Sequence, residues 1–235
     1  MNPFVFYCGF YRIAARMRGI GLAILSVLAA VSLAEKEQFM CHNKIDMVIL
    51  MDGSGSVTMD QFKVGKKFVA DLIKHFDISK EKTNVAMASY SQYTHTGRTF
   101  NDKTSRESVL KAVDELPYEG AASRLDFGFD LIEFKLFDAK NGARTSSKDV
   151  KKVAVFLSDG FSTRGVEFTK ASADTLTRRG IKLFSVGISG HIDEAELDEL
   201  SSKPRESHRL NIETPGKFFT KDQVEHFAKE ICRHE

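Results

Sequence analysis

Two kinds of apolar run alternate along this chain. Residues 45–51 read Ile-Asp-Met-Val-Ile-Leu-Met, a near-continuous apolar stretch of strand length. Such a run predicts a strand buried on both faces. Residues 84–90, 150–157 and 181–188 read the same way. Residues 95–100 are more polar and predict a strand at a sheet edge, and residues 208–212 predict a last short strand. Between these runs the apolar spacing becomes helical. Phe62, Phe68, Val69, Leu72, Ile73 and Phe76 follow a capping box formed by Thr58 and Gln61. A second box at residues 104–107 opens a helix carrying Val109, Leu110, Val113 and Leu116, which Pro117 stops. Residues 125–137 predict a helix with apolar positions on more than one side. Residues 166–179 predict another, ended by Gly180 where a left-handed residue is needed. Residues 193–201 predict a short helix. A third box at residues 220–223 opens a final helix through Cys232.

About six strands alternating with about six helices imply an α/β fold. Continuous apolar strands require helices on both faces, so the expected architecture is an open, doubly wound, mostly parallel sheet. In such sheets ligands bind beyond the carboxyl ends of the strands, where strand order reverses. Chemistry is therefore expected in the loops that leave strands.

Composition changes this picture at the N-terminus. Residues 1–34 contain Arg12, Arg16 and Arg18 and no acid, then an apolar run that ends Ser32-Leu33-Ala34 ahead of Glu35. That order predicts a secretory signal peptide over residues 1–34, the alternative being an uncleaved signal anchor. Taking three arginines from a chain of 34 basic and 32 acidic residues leaves a formal charge near −1. A nearly neutral domain gives no reason to expect nucleic acid as a partner, and a membrane only if the segment stays attached. Cys41 and Cys232 remain, one before the first strand and one in the last helix. Secretion places them where a disulfide forms, and two separate buried thiols are the alternative.

Three loops carry candidate chemistry. The first strand empties into Asp52-Gly53-Ser54-Gly55-Ser56, where a carboxylate and two hydroxyls alternate with glycines. Glycine permits a turn tight enough for those oxygens to converge. The strand at 150–157 empties into Ser158-Asp159-Gly160, and Ser123 stands just ahead of the helix that starts near Arg124. Asp52, Ser54, Ser56, Ser123 and Asp159 are all oxygen donors, a set that suits Mg²⁺ and equally fits Mn²⁺. His-Glu-x-x-His, Gly-x-Ser-x-Gly and phosphate-loop patterns do not occur.

Asp-x-Ser-x-Ser after the first strand, a Gly-x-x-Ser loop and a strand ending in Asp-Gly together resemble the metal-ion-dependent adhesion site of von Willebrand factor type A domains and integrin inserted domains. The resemblance covers residues 42–232. Ser123 stands where that family usually has threonine, which keeps the hydroxyl and loses a methyl. The resemblance implies a Rossmann-like domain and a secreted adhesion module, not an enzyme. Its partner would be an extracellular protein (collagen, another matrix protein or a receptor) that presents Asp or Glu to the metal. A matrix module that self-associates away from the metal is the alternative, and a metal-dependent hydrolase a more distant one.

Overall fold

One sheet has the strand order β3-β2-β1-β4-β5-β6. The computed structural model describes residues 38–211 and 219–233. The strands are β1 (Ile45–Asp52), β2 (Thr83–Tyr90), β3 (Thr94–Arg98), β4 (Lys151–Ser158), β5 (Ile181–Gly187) and β6 (Arg209–Asn211). All neighbouring pairs run parallel except β2 with β3, where the polar edge strand turns back. The segment expected to be a signal peptide lies outside the described residues, as does position 212 of the expected last strand.

Helices α1 (Met59–Ile73), α2 (Arg106–Glu115) and α7 (Lys221–Arg233) cover one face. Helices α3 (Leu125–Leu131), α4 (Val166–Arg178) and α5 (Glu194–Leu200) cover the other. A short α6 (Arg205–His208) precedes β6. All eight residues of β1 are buried. Ile45, Met47, Ile49 and Met51 pack with Phe62, Phe68, Val113 and Phe227, while Val48 and Leu50 pack with Phe129, Leu176 and Leu197. Because successive side chains point to opposite faces, a strand covered on both sides must be apolar at nearly every position.

Capping chemistry fixes the helix starts. Thr58 and Gln61 exchange the two bonds of a capping box at α1, and Thr220 bonds Gln223 in the same way at α7. The box at α2 is one residue later than the sequence suggests. Ser105 is its cap and Ser108 its partner, while the Thr104 hydroxyl donates to Asn84 Oδ1 at 3.0 Å. The helix expected over residues 125–137 also changes character. It is α-helical only to Leu131 and then widens into a π-turn, Ile132–Leu136. Phe137 N donates to Ile132 O, five residues back, at 2.9 Å. The wider turn lets two consecutive residues, Leu136 and Phe137, both enter the core.

Cys41 and Cys232 are joined by a disulfide with a Cα–Cα distance of 5.9 Å. Cys41 also pairs its backbone with the chain after α1, through His75 O and Asp77 N. The bridge thus fastens α7 to the start of β1. Replacing both cysteines with serine is expected to lower stability by about 2–4 kcal/mol. Urea unfolding under non-reducing conditions measures this, and an unchanged midpoint would mean that the bridge adds nothing to the packing of α7.

Candidate metal centre

Strand order reverses between β1 and β4, which opens a crevice at their carboxyl ends. β1 ends on Asp52, and β4 ends on Ser158 with Asp159 next. The loop from 53 to 57 is clamped from both sides. Gly53 N donates to Tyr90 O at 2.7 Å, Gly120 N to Gly53 O at 2.8 Å, and Gly55 N to Ala121 O at 2.8 Å. The loop before α3 is held in turn by Ser91, whose Oγ accepts from Ala121 N at 3.0 Å and donates to Ala122 O at 3.2 Å. Thr163 fixes Ser123 from the third loop: Ser123 N donates to Thr163 Oγ1 at 2.9 Å, and Thr163 N to Ser123 O at 3.0 Å. Gly160 is required where it stands. Its φ is +83°, and a Cβ there would meet Asp193 O at 2.5 Å.

These clamps bring the expected residues together. Ser54 N donates to Asp52 Oδ1 at 2.8 Å, and the Ser54 and Ser56 hydroxyls lie 3.2 Å apart. Ser123 Oγ donates to Asp52 Oδ2 at 3.3 Å. Asp159 accepts from Phe161 N, and its charge acts on Asp52 across the crevice. Asp52, Ser54, Ser123 and Asp159 are buried, and Ser56 faces solvent. Two further side chains, which the sequence pattern does not single out, complete the cradle. Tyr90 OH donates to Asp52 Oδ2 at 2.6 Å, and Ser158 Oγ donates to the same oxygen at 3.1 Å.

The electrostatics are those of an anion without a counter-ion. Burial pushes the Asp52 carboxyl up to about 6, and the charge of Asp159 adds to the rise, while hydrogen bonds from Ser54 and Tyr90 oppose it. Burial also holds the Tyr90 hydroxyl well above its ordinary value, with the charge of Asp52 beside it, so Tyr90 stays a donor. Among the described residues no basic side chain pairs with Asp52 or Asp159. Two buried carboxylates this close favour a cation between them. Among the described residues no group of three or more His, Cys, Asp or Glu converges. Any cation here therefore depends on hydroxyls and water besides the two carboxylates. That donor set fits a hard, oxygen-seeking ion such as Mg²⁺ or Mn²⁺.

The profile of the von Willebrand factor type A domain family matches residues 46–224, which include all three loops. The chain belongs to this family. The type A domain is 30% identical over 167 residues to the collagen alpha-1(XII) chain of Notophthalmus viridescens, covering 71% of this chain and 17% of the relative. It is 30% identical over 189 residues to matrilin-2 of Mus musculus, covering 80% of this chain and 19% of the relative. It thus spans less than a fifth of the length of either. Among solved structures it is similar to proximal thread matrix protein 1 from the mussel byssus with its MIDAS motif occupied by zinc. There the TM-score is 0.69 at 18% identity, over 82% of this chain and 48% of that one. At that identity the likeness concerns the fold.

Proposed function

We propose that this type A domain binds one Mg²⁺ ion through Asp52, Ser54, Ser56, Ser123 and Asp159, with Mn²⁺ able to replace it. The bound ion holds an Asp or Glu of an extracellular protein partner. The observation that carries this reading is the buried pair Asp52 and Asp159, surrounded by hydroxyls and without a cation from the chain. When bound, the ion supplies Lewis acidity toward a further carboxylate. The chain's own residues do the positioning. Tyr90 and Ser158 orient Asp52, Thr163 holds Ser123, and the glycine turns present Ser54 and Ser56.

The reading is one of binding, not catalysis. Water activation would need a base beside the cradle. His75 instead bonds Phe39 O and His208 bonds Pro204 O, while Glu196, whose carboxyl burial and the charge of Asp159 push upward, is taken up by the Ser162 hydroxyl. Collagens and matrilins are matrix proteins, and this supports a partner of the same setting: collagen, another matrix protein or a receptor. We place the domain outside the cell, its mature chain starting near Glu35. Among the described residues no helix is long and apolar enough to cross a membrane.

Pull-down from extracellular extract, with and without EDTA, tests the reading. Partner recovery should depend on the divalent ion and be lost in Asp159→Ala. Recovery that ignores both would favour self-association or docking elsewhere on the domain. Ser123→Thr is a milder probe. It restores the hydroxyl-plus-methyl usual in related domains, and calorimetric titration should find Mg²⁺ affinity unchanged or slightly tighter. A loss beyond about tenfold, about 1.4 kcal/mol, would show that the loop has no room for the methyl.

A further inference from the structure

At the end of the sheet where the parallel strands begin, far from Asp52, the chain forms a second concavity. A cleft of ≈ 450 Å³ is lined by Lys148, Lys151, Lys152 and Lys182, with Asp149 as its one acid. The strand register explains the grouping. β4 and β5 are parallel, with Lys152 opposite Ile181 and Lys182 opposite Val153. Both strands therefore enter the sheet through lysine. Because side chains alternate, Lys151 and Lys182 lie on the face covered by α7, and Lys152 lies on the other. Lys151 Nζ donates to Cys232 O at 3.0 Å, and Lys152 Nζ to Thr145 O at 3.3 Å. The cleft is open at Gly180, where a Cβ would meet nothing within 4 Å.

Charge in the cleft is one-sided. The Asp149 carboxylate is already paired with Lys44 at 2.7 Å. Among the described residues Lys148 and Lys182 have no acidic partner. Lys148 and Lys182 thus leave two positive charges at the cleft without a counter-charge, while the carbonyls of Cys232 and Thr145 hold the ammonium groups of Lys151 and Lys152 at its margin. An anion in the cleft relieves the repulsion. Lysine ammoniums act as separate point charges, which suits several anionic oxygens spread along a chain. No aromatic side chain lines the cleft, so it lacks the stacking platform of a nucleic-acid groove. Nor does it present an exposed apolar side chain to enter a bilayer. The disulfide and the matrix relatives support the proposed extracellular setting, where sulfated polysaccharides are abundant polyanions.

We propose that this cleft binds sulfate groups of an extracellular polysaccharide, at the opposite end of the sheet from the metal centre and independently of it. The probe is a heparin-derived hexasaccharide, titrated calorimetrically into the full chain at low and at physiological salt. Lys148→Ala with Lys182→Ala should weaken binding by about tenfold per lysine and flatten the salt dependence. EDTA should change nothing, and the desulfated hexasaccharide should not bind. Lys103→Ala with Lys111→Ala, on α2 and the loop before it, is the control for diffuse surface charge. An equal loss in the two double variants would overturn the proposal, as would undiminished binding in the first. Tighter binding to phosphatidylserine vesicles than to the hexasaccharide, lost in the same variant, would assign the cleft to a membrane instead. Circular dichroism of each variant guards against misfolding. Failure of this test leaves the metal centre untouched, because EDTA and the Asp159 variant report on that site alone.

Discussion

Asp52→Asn is expected to abolish stabilisation by Mg²⁺ while leaving the metal-free protein at least as stable as the wild type. The two halves of this result have opposite signs for one reason. Asp52 is fully buried beside Asp159, with no basic side chain paired to either among the described residues. In EDTA its charge is uncompensated, and a buried charge without a partner costs stability. Asparagine removes the charge at nearly constant volume. The Tyr90 hydroxyl keeps an acceptor in Ser158 Oγ, 3.1 Å away, so the cradle need not collapse. With metal present the balance reverses. A ligand at a hundredfold excess over its Kd stabilises the folded state by about 2.7 kcal/mol. The wild type should show this gain in thermal melts with and without Mg²⁺, and the variant should show none. Equal gains in both proteins would place the cation elsewhere. A variant that melts far below the wild type in EDTA would make Asp52 a structural residue first.

The parts of the site visible in the sequence are those that lie in strand-leaving loops. Asp52, Ser54, Ser56 and Asp159 stand next to apolar runs that mark the strands, and Ser123 precedes a recognisable helix. Tyr90 and Ser158 escaped because their role depends on register, not spacing. Tyr90 is the residue paired with Asp52 across β1 and β2, and no pattern within either strand records that pairing. Thr163 is hidden for the same reason, since its bonds reach forty residues back to Ser123. The fold class was legible because β1 and β4 are covered on both faces and are apolar along most of their length. Local detail was less so. Thr104 and Ser105 are both capping residues by chemistry, and the contact of Thr104 with Asn84 decides between them. The π-turn arises because Leu136 and Phe137 are both drawn into the core. That is a tertiary demand, which helical periodicity does not express.

Arg144→Ala should be among the most damaging single substitutions in the chain, at about 3–5 kcal/mol, the cost of leaving a buried charge without its partner. The partner is Asp46, the one acid inside the apolar run of β1, with an exposure of 0%. Arg144 reaches it twice: its backbone N donates to Asp46 Oδ2 at 2.6 Å and its Nε to Oδ1 at 2.8 Å. The rest of the guanidinium donates to three carbonyls, those of Ile45, Lys80 and Lys82, at 2.8–3.0 Å. One side chain thus ties the loop before β4 to the start of β1 and to the turn before β2. Truncation leaves the Asp46 carboxylate in the sheet with one backbone donor, and it takes a donor from each of the three carbonyls, of which Lys82 O keeps Ile45 N at 3.1 Å. Against a total stability of about 5–15 kcal/mol for a domain, this loss approaches unfolding. A second variant separates charge from packing. Asp46→Val with Arg144→Met removes both charges and refills the volume, so it should recover much of the loss, because apolar replacement of a buried pair is often neutral or better. Urea unfolding of the wild type, Asp46→Val, Arg144→Met and the double variant completes the cycle, with Arg144→Ala measured beside it. A single-variant cost below about 1 kcal/mol would show that the pair behaves as a surface salt bridge. A double variant no better than Arg144→Ala would show that the carbonyl contacts, not the buried charge, are what Arg144 supplies.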